Sequence, residues 1–326
     1  MQPLRVGVVG AGSFGCNHLR VLSEMPDVVL CGVVDARVEV AREAAEKFGC
    51  PALSLEELCA CSDAAVVATP TTTHADIGCR LLHAGVDVLI EKPIAADLVS
   101  ASRLTDTATQ TRGILQVGHL ERFNPAVEIL FAAATLPLFF EIHRMSVFTP
   151  RSLDVDVVLD LMIHDIDVLL ALTGAMPDEI RAAGIRILSH KVDIANVRLA
   201  FPNGCVANLT ASRVSVEKIR KLRLFQPGEY ISVDYARQEV ARVKVSGGDV
   251  GFDSLEVERA EPLRLELEAF VEAVRTREAP VVTGQDATKA LEVCLAILDK
   301  IEEHGALVEE TVSAHQRATL PGQQPS

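Results

Sequence analysis

Over the first third of the chain, short apolar runs alternate with amphipathic stretches. Residues 4–9, 28–34, 64–68, 86–90 and 114–117 are largely apolar, the pattern of strands buried on both faces. Between them, 13–24, 38–48, 73–84 and 97–111 carry apolar residues at helical spacing, and Gly49 and Gly85 follow two of these stretches. Strands that alternate with helices predict β-α-β units, hence an α/β Rossmann domain with a doubly wound parallel sheet. After about residue 120 the rhythm changes. Residues 139–148, 179–188, 192–200, 206–214, 218–225, 230–234 and 239–245 read as successive strands, with Pro202-Asn203-Gly204 as a turn between two of them. This predicts an α+β domain with an open, mostly antiparallel sheet. A helix over 155–172 precedes most of that run, and helices over 263–275 and 287–303 follow it. The expected division is 1–120 for nucleotide binding, 121–312 for substrate binding and oligomerisation, and a flexible tail over 313–326.

Composition narrows the partners. Of 326 residues, 49% are hydrophobic and 23% charged, as in ordinary globular chains, which excludes disorder and collagen-like repeats. The longest uncharged stretches, 6–19 and 199–212, fall short of the ~18 apolar residues of a membrane span, so no membrane partner is expected. A net charge of −14 with no basic stripe, no Trp and two Tyr argues against nucleic acid. Eight cysteines without paired metal-ligand spacing read as buried thiols in a reducing compartment. No secretory leader is legible at the N-terminus, and a cytoplasmic location is expected.

Gly10-Ala11-Gly12-Ser13-Phe14-Gly15 follows the first strand and opens the first helix. In that context G-x-G-x-x-G is a dinucleotide fingerprint. Gly10 allows the tight turn, Gly12 the approach of a pyrophosphate, and Gly15 close helix–strand packing, while the helix N-terminus supplies amide donors. Asp35 ends the second strand, where a carboxylate accepts ribose hydroxyls and repels a 2′-phosphate, so NAD is favoured over NADP. Arg37 either offsets that repulsion, lies over the adenine, or is a solvated helix-start residue. Glu91-Lys92-Pro93 follows a later strand, at the carboxyl edge where open parallel sheets bind ligands. Lys92 there can hold a substrate hydroxyl and stabilise an alkoxide, or be a surface lysine. On the 155–172 helix, Asp160, His164 and Asp167 share one face. His164 suits a general base, with Asp160 orienting it or contacting a sugar; a solvated face and a metal pair are the alternatives.

Together the glycine motif, Ala68-Thr69-Pro70 with His74, Glu91-Lys92-Pro93, and Asp160 with His164 resemble the Gfo/Idh/MocA family of sugar-type oxidoreductases. The resemblance spans residues 4–305 and implies a Rossmann domain followed by an α+β domain with an open sheet. It implies NAD(P)-dependent oxidation of a CH–OH group, with Thr69, Pro70, His74, Glu91 and Lys92 at the cofactor and Lys92, Asp160 and His164 at the substrate. It implies no metal, and a homo-oligomer (dimer or tetramer), because a bare sheet face is a liability. Gly118-His119-Leu120-Glu121-Arg122-Phe123-Asn124-Pro125-Ala126 looks like the branch that oxidises the 3-hydroxyl of UDP-N-acetylglucosamine and supplies an aminotransferase in surface glycolipid (lipid A-type) synthesis. In that reading Arg122 holds the diphosphate and Asn124 the sugar; otherwise the segment is an interdomain hinge. Two other functions stay open: a dehydrogenase of a free polyol such as an inositol, and a non-catalytic NAD-binding regulator.

Overall fold

A computed structural model describes residues 2–148, 155–188, 190–247 and 249–319. The chain forms two compact units, Met1–Ile129 with Val257–Leu291, and Leu130–Glu256 with Glu292–Ser326.

The first unit contains β1 (Leu4–Val9), α1 (Ser13–Glu24), β2 (Val28–Val34), α2 (Val38–Phe48), α3 (Leu55–Cys61), β3 (Ala64–Val67), α4 (His74–His83), β4 (Asp87–Glu91), α5 (Leu98–Thr111) and β5 (Leu115–Gly118). The five strands are all parallel, in the order β2-β1-β3-β4-β5. All four residues of β3 are fully buried, which is why these strands are apolar throughout rather than alternating. Strand order reverses between β1 and β3, and the carboxyl ends flanking such a switch point are where ligands bind.

Two helices lie outside the sequence-based expectation although their signals are present. Ser54 and Glu57 make a reciprocal capping box that starts α3, whose Leu58 is fully buried. Asn124 precedes α6 (Pro125–Ala133), and its side-chain oxygen accepts the Ala126 N–H at 3.1 Å, an N-cap followed by proline at the first helical position.

The second unit holds β6 (Phe139–Val147), α7 (Ile163–Thr173), β7 (Glu179–Ile185), β8 (Ile194–Ala200), β9 (Val206–Ser215), β10 (Ile219–Gln226), β11 (Glu229–Asp234), β12 (Glu239–Ser246) and β13 (Asp249–Leu255). Their order is β13-β12-β11-β10-β6-β9-β8-β7, antiparallel except for β6 beside β9. Ile142, Leu209, Leu222, Leu224, Ile231 and Val233 are buried between more exposed neighbours, so one face of this sheet carries the core. The edge strand β13 is almost wholly exposed, with Phe252 at 79%, so little apolar alternation marks it in the sequence.

α8 (Pro262–Thr276) belongs to the first unit. It packs on α1 and on the Leu120–Phe123 turn, and the ion pairs Arg20–Glu261, Arg275–Asp27 and Arg277–Asp87 fasten it there. α9 (Gly284–Thr319) runs beyond residue 303, where helical spacing alone ends it; the rest of the expected tail, 320–326, lies outside the described residues.

Candidate active site

The glycine loop leaves β1 with Gly10 at φ +98°, and a Cβ there would stand 2.4 Å from the Ala68 carbonyl oxygen. A Cβ on Gly15 would meet the Gly10 oxygen at 1.8 Å, so neither position accepts a side chain. Gly12, the N-cap of α1, makes no side-chain cap, and a Cβ there would meet nothing within 4 Å. The helix N-terminus thus faces open space above glycine, a cradle that suits a pyrophosphate. Ser13 and Phe14 are both exposed beside it.

Asp35 ends β2 and turns back to this loop. Its Oδ2 accepts the Ala11 N–H at 2.9 Å and its Oδ1 the Arg37 N–H at 2.9 Å. Burial opposes the charge, but those two amides and the Arg37 guanidinium, at 3.5 Å, outweigh it and hold the carboxyl below its usual range. Asp35 therefore pins the loop it was expected to assist, and an ionised carboxylate keeps further acceptor sites for a ribose. The Arg37 side chain is exposed.

His74, at the start of α4, bridges two loops. One ring nitrogen lies 2.9 Å from the Thr69 oxygen and the other 2.9 Å from the Pro93 oxygen. Burial pushes its pKa down, against both of these bonds. Thr73 Oγ1 stands 2.8 Å from Thr69 Oγ1, tightening the Thr69-Pro70 turn. The clamp aligns the segment after β3 with the segment after β4, where the Lys92–Pro93 peptide is cis.

Glu91 and Lys92 follow at the carboxyl end of β4. Burial raises the Glu91 pKa, but the His18 hydrogen bond and the His18 and Lys92 charges more than offset it, leaving the carboxyl below its usual range. His18, on α1, is buried, with Nε2 2.7 Å from Glu91 Oε1.

After β5 comes His119, buried and pushed down to about 3, first by desolvation and then by the Lys92 and Arg122 charges. Sequence reasoning assigned it no role. Arg122 is half-buried and reaches the Val281 oxygen at 3.4 Å. Asn124 is buried: its amide donates to Glu121 at 3.1 Å while its oxygen caps α6, so its side chain is engaged locally.

Asp160 and His164 lie in the second unit. The expected continuous α-helix begins with a π-helical turn, Val158–Met162, before α7. A π turn widens the helix and is frequent at functional sites. It packs against β9, and the Asp156 oxygen accepts the Asp160 N–H at 3.0 Å. Asp160 and His164 are half-buried, whereas Asp167 is buried and so is not part of a solvated stripe. Asp165, which the spacing did not single out, grips Arg144 through two bonds of 2.7 and 2.8 Å, and Arg144 lies 5.1 Å from the centre of the Tyr235 ring. This buried pair anchors α7 on β6.

Residues 4–119 match the model of the Gfo/Idh/MocA oxidoreductase family, described as an NAD-binding Rossmann fold, and 130–225 match its C-terminal domain. The chain is 35% identical over 310 residues to UDP-N-acetylglucosamine 3-dehydrogenase of Acidithiobacillus ferrooxidans, covering 93% of this chain and 98% of that one. A solved structure of that enzyme superposes with a TM-score of 0.88 at 34% identity, covering 93% and 99% of the two chains. Myo-inositol 2-dehydrogenase of Thermotoga maritima is 27% identical over 334 residues, covering 95% and 99%.

Proposed function

The chain belongs to the Gfo/Idh/MocA family of NAD-binding oxidoreductases, and from that premise we propose that it oxidises the 3-hydroxyl of UDP-N-acetylglucosamine to a ketone. The observation that carries this reading is the 35% identity to a UDP-N-acetylglucosamine 3-dehydrogenase along nearly the whole of both chains. Lower identity, 27%, to a myo-inositol dehydrogenase over a similar share of both chains supports oxidation of a free polyol as the second reading.

NAD, when bound, supplies the hydride acceptor. The amides at the start of α1 would hold its diphosphate, Asp35 its ribose hydroxyls, and the Thr69-Pro70 turn held by His74 would contribute to the same pocket. Lys92 holds the reacting hydroxyl and stabilises the alkoxide as it forms. His164 takes the hydroxyl proton, and Asp160 orients that imidazole. Arg122 pairs with the UDP diphosphate. The 3-keto product suits an aminotransferase that installs an amine for amide-linked surface glycolipids, and the reaction runs in the cytoplasm, where NAD is available. A homo-oligomer would cover a face of the open sheet that β6–β13 form.

Thermal shift and NADH formation, compared between UDP-N-acetylglucosamine and myo-inositol, test the reading. The nucleotide sugar is expected to raise Tm and to be turned over, because a ligand stabilises only the state it binds. Brisk oxidation of myo-inositol with no turnover of the nucleotide sugar would reverse the order of the two readings.

A further inference from the structure

Next to Lys92 in the chain, at Glu91, three titratable side chains from distant parts of the first unit meet. His18 comes from α1, Glu91 from the end of β4 and Glu266 from α8, and their ligand-forming atoms all lie within 4.8 Å of one another. Glu266 is fully buried, and neither of its carboxylate oxygens has a hydrogen-bond partner among the described residues. Its backbone is fixed instead, since Gln116 Nε2 donates to the Glu266 carbonyl at 3.1 Å. An ionised carboxylate in such a place would be a buried charge without compensation, beside a second carboxylate. A neutral acid avoids both costs. Burial and the Glu91 charge both act in that direction, raising the Glu266 pKa well above its usual value.

The contact between His18 and Glu91 separates two uses of the cluster. At 2.7 Å it is a charge-assisted hydrogen bond, in which Nε2 donates to the carboxylate. Two donors on one zinc ion would stand about 3.3 Å apart, from bonds of ~2.0–2.1 Å in tetrahedral array. The geometry favours a His18–Glu91 hydrogen bond over a metal site.

We propose that His18 and Glu266 are positioning residues for the reaction: His18 clamps Glu91 by a hydrogen bond, and Glu266, as the neutral acid, closes the interior behind it, so that Glu91 remains a single oriented anion beside Lys92. The inference rests on the reading of Lys92 as the residue that stabilises the alkoxide. The other titratable groups facing Glu91 are His74 from α4 and His119 after β5, both held towards the neutral form by burial. Arg122 and Asp286 face His119 in turn.

The test is the pH profile of NAD-dependent oxidation of UDP-N-acetylglucosamine by the full-length enzyme. His18→Leu removes the clamp; kcat is expected to fall by about 10- to 100-fold with a smaller change in KM. The acid limb of kcat/KM moves up, because Glu91 without its hydrogen-bond donor takes up a proton at higher pH. His18→Gln, whose amide can still donate, restores most of both. Glu266→Gln, the isostere of the neutral acid, keeps the limb at the wild-type position. Infrared difference spectra at about pH 8 show a carboxylic-acid C=O stretch in the wild type that Glu266→Gln lacks, a readout that needs no turnover.

A limb unmoved in His18→Leu, with only stability lost, would overturn the proposal, as would a limb shifted by Glu266→Gln or a missing carboxylic-acid band. Zinc that stabilises the wild type but not Glu266→Gln would replace the hydrogen-bonded clamp with a metal site. Lys92→Met separates the two levels of the argument. If it turns over like the wild type, the assignment of Lys92 falls. If it is inactive while the His18→Leu limb stays in place, only the positioning role falls.

Discussion

Acidification should destabilise this protein through His119 by an amount the structure fixes. His119 is buried between the Lys92 and Arg122 charges, and its pKa is pushed down to about 3. In the unfolded chain an imidazole titrates near ~6.5. The folded-state value is the depressed one, so the contribution to stability is complete above about 6.5 and is lost as pH falls towards 3. At about pH 5 the unfolded chain gains 1.36 kcal/mol for each of roughly 1.5 pH units, a loss of ~2 kcal/mol. That figure hardly depends on the folded value, because the folded imidazole is still neutral at pH 5 even if its pKa is about 4. Urea unfolding of the wild type and His119→Gln, at about pH 7.5 and about pH 5, isolates the effect. Circular dichroism is the appropriate signal, since the chain has no Trp. The wild type should lose ~2 kcal/mol more than the variant on acidification, while other groups, His74 included, titrate alike in both. Equal losses would refute the claim that the site holds His119 neutral.

Three further outcomes follow from the site. Asp35→Ala should weaken NAD binding by about 10- to 100-fold and narrow its advantage over NADP, because the carboxylate holds the Ala11 amide and, on the proposed reading, would meet the ribose; calorimetric titration of the two cofactors reads this. Lys92→Ala and His164→Ala should each lower turnover by ~10²-fold or more with NAD affinity nearly intact, measured by NADH absorbance and by the same titration. Arg122→Ala should raise KM for UDP-N-acetylglucosamine by about 10- to 150-fold, and Arg122→Lys should recover only part, since an ammonium cannot make the paired planar contact; unchanged kinetics would return Arg122 to a structural role.

The local rules written into the chain specified the nucleotide-binding half and much of the sheet that follows it. Apolar strands alternating with amphipathic helices dictated a parallel sheet, and the Gly10–Gly15 motif marked the turn between β1 and α1, where Gly10 and Gly15 leave no room for a Cβ. The placement of Asp35, Thr69, Lys92 and Arg122 was likewise legible, because each follows a strand whose position the pattern fixed. Signals that overlap a functional motif were harder to see: the Asn124 read as a sugar ligand also caps α6 through its oxygen. The π turn before α7 left no trace in the spacing of Asp160 and His164, because it depends on how that segment packs against β9. Tertiary structure alone decided the partners of the buried charges. His18, Glu91 and Glu266 are far apart in sequence, and no periodicity links them. They meet because α8 folds back onto α1, and once water is excluded there, the cost of each unpaired charge determines which carboxyl keeps its proton.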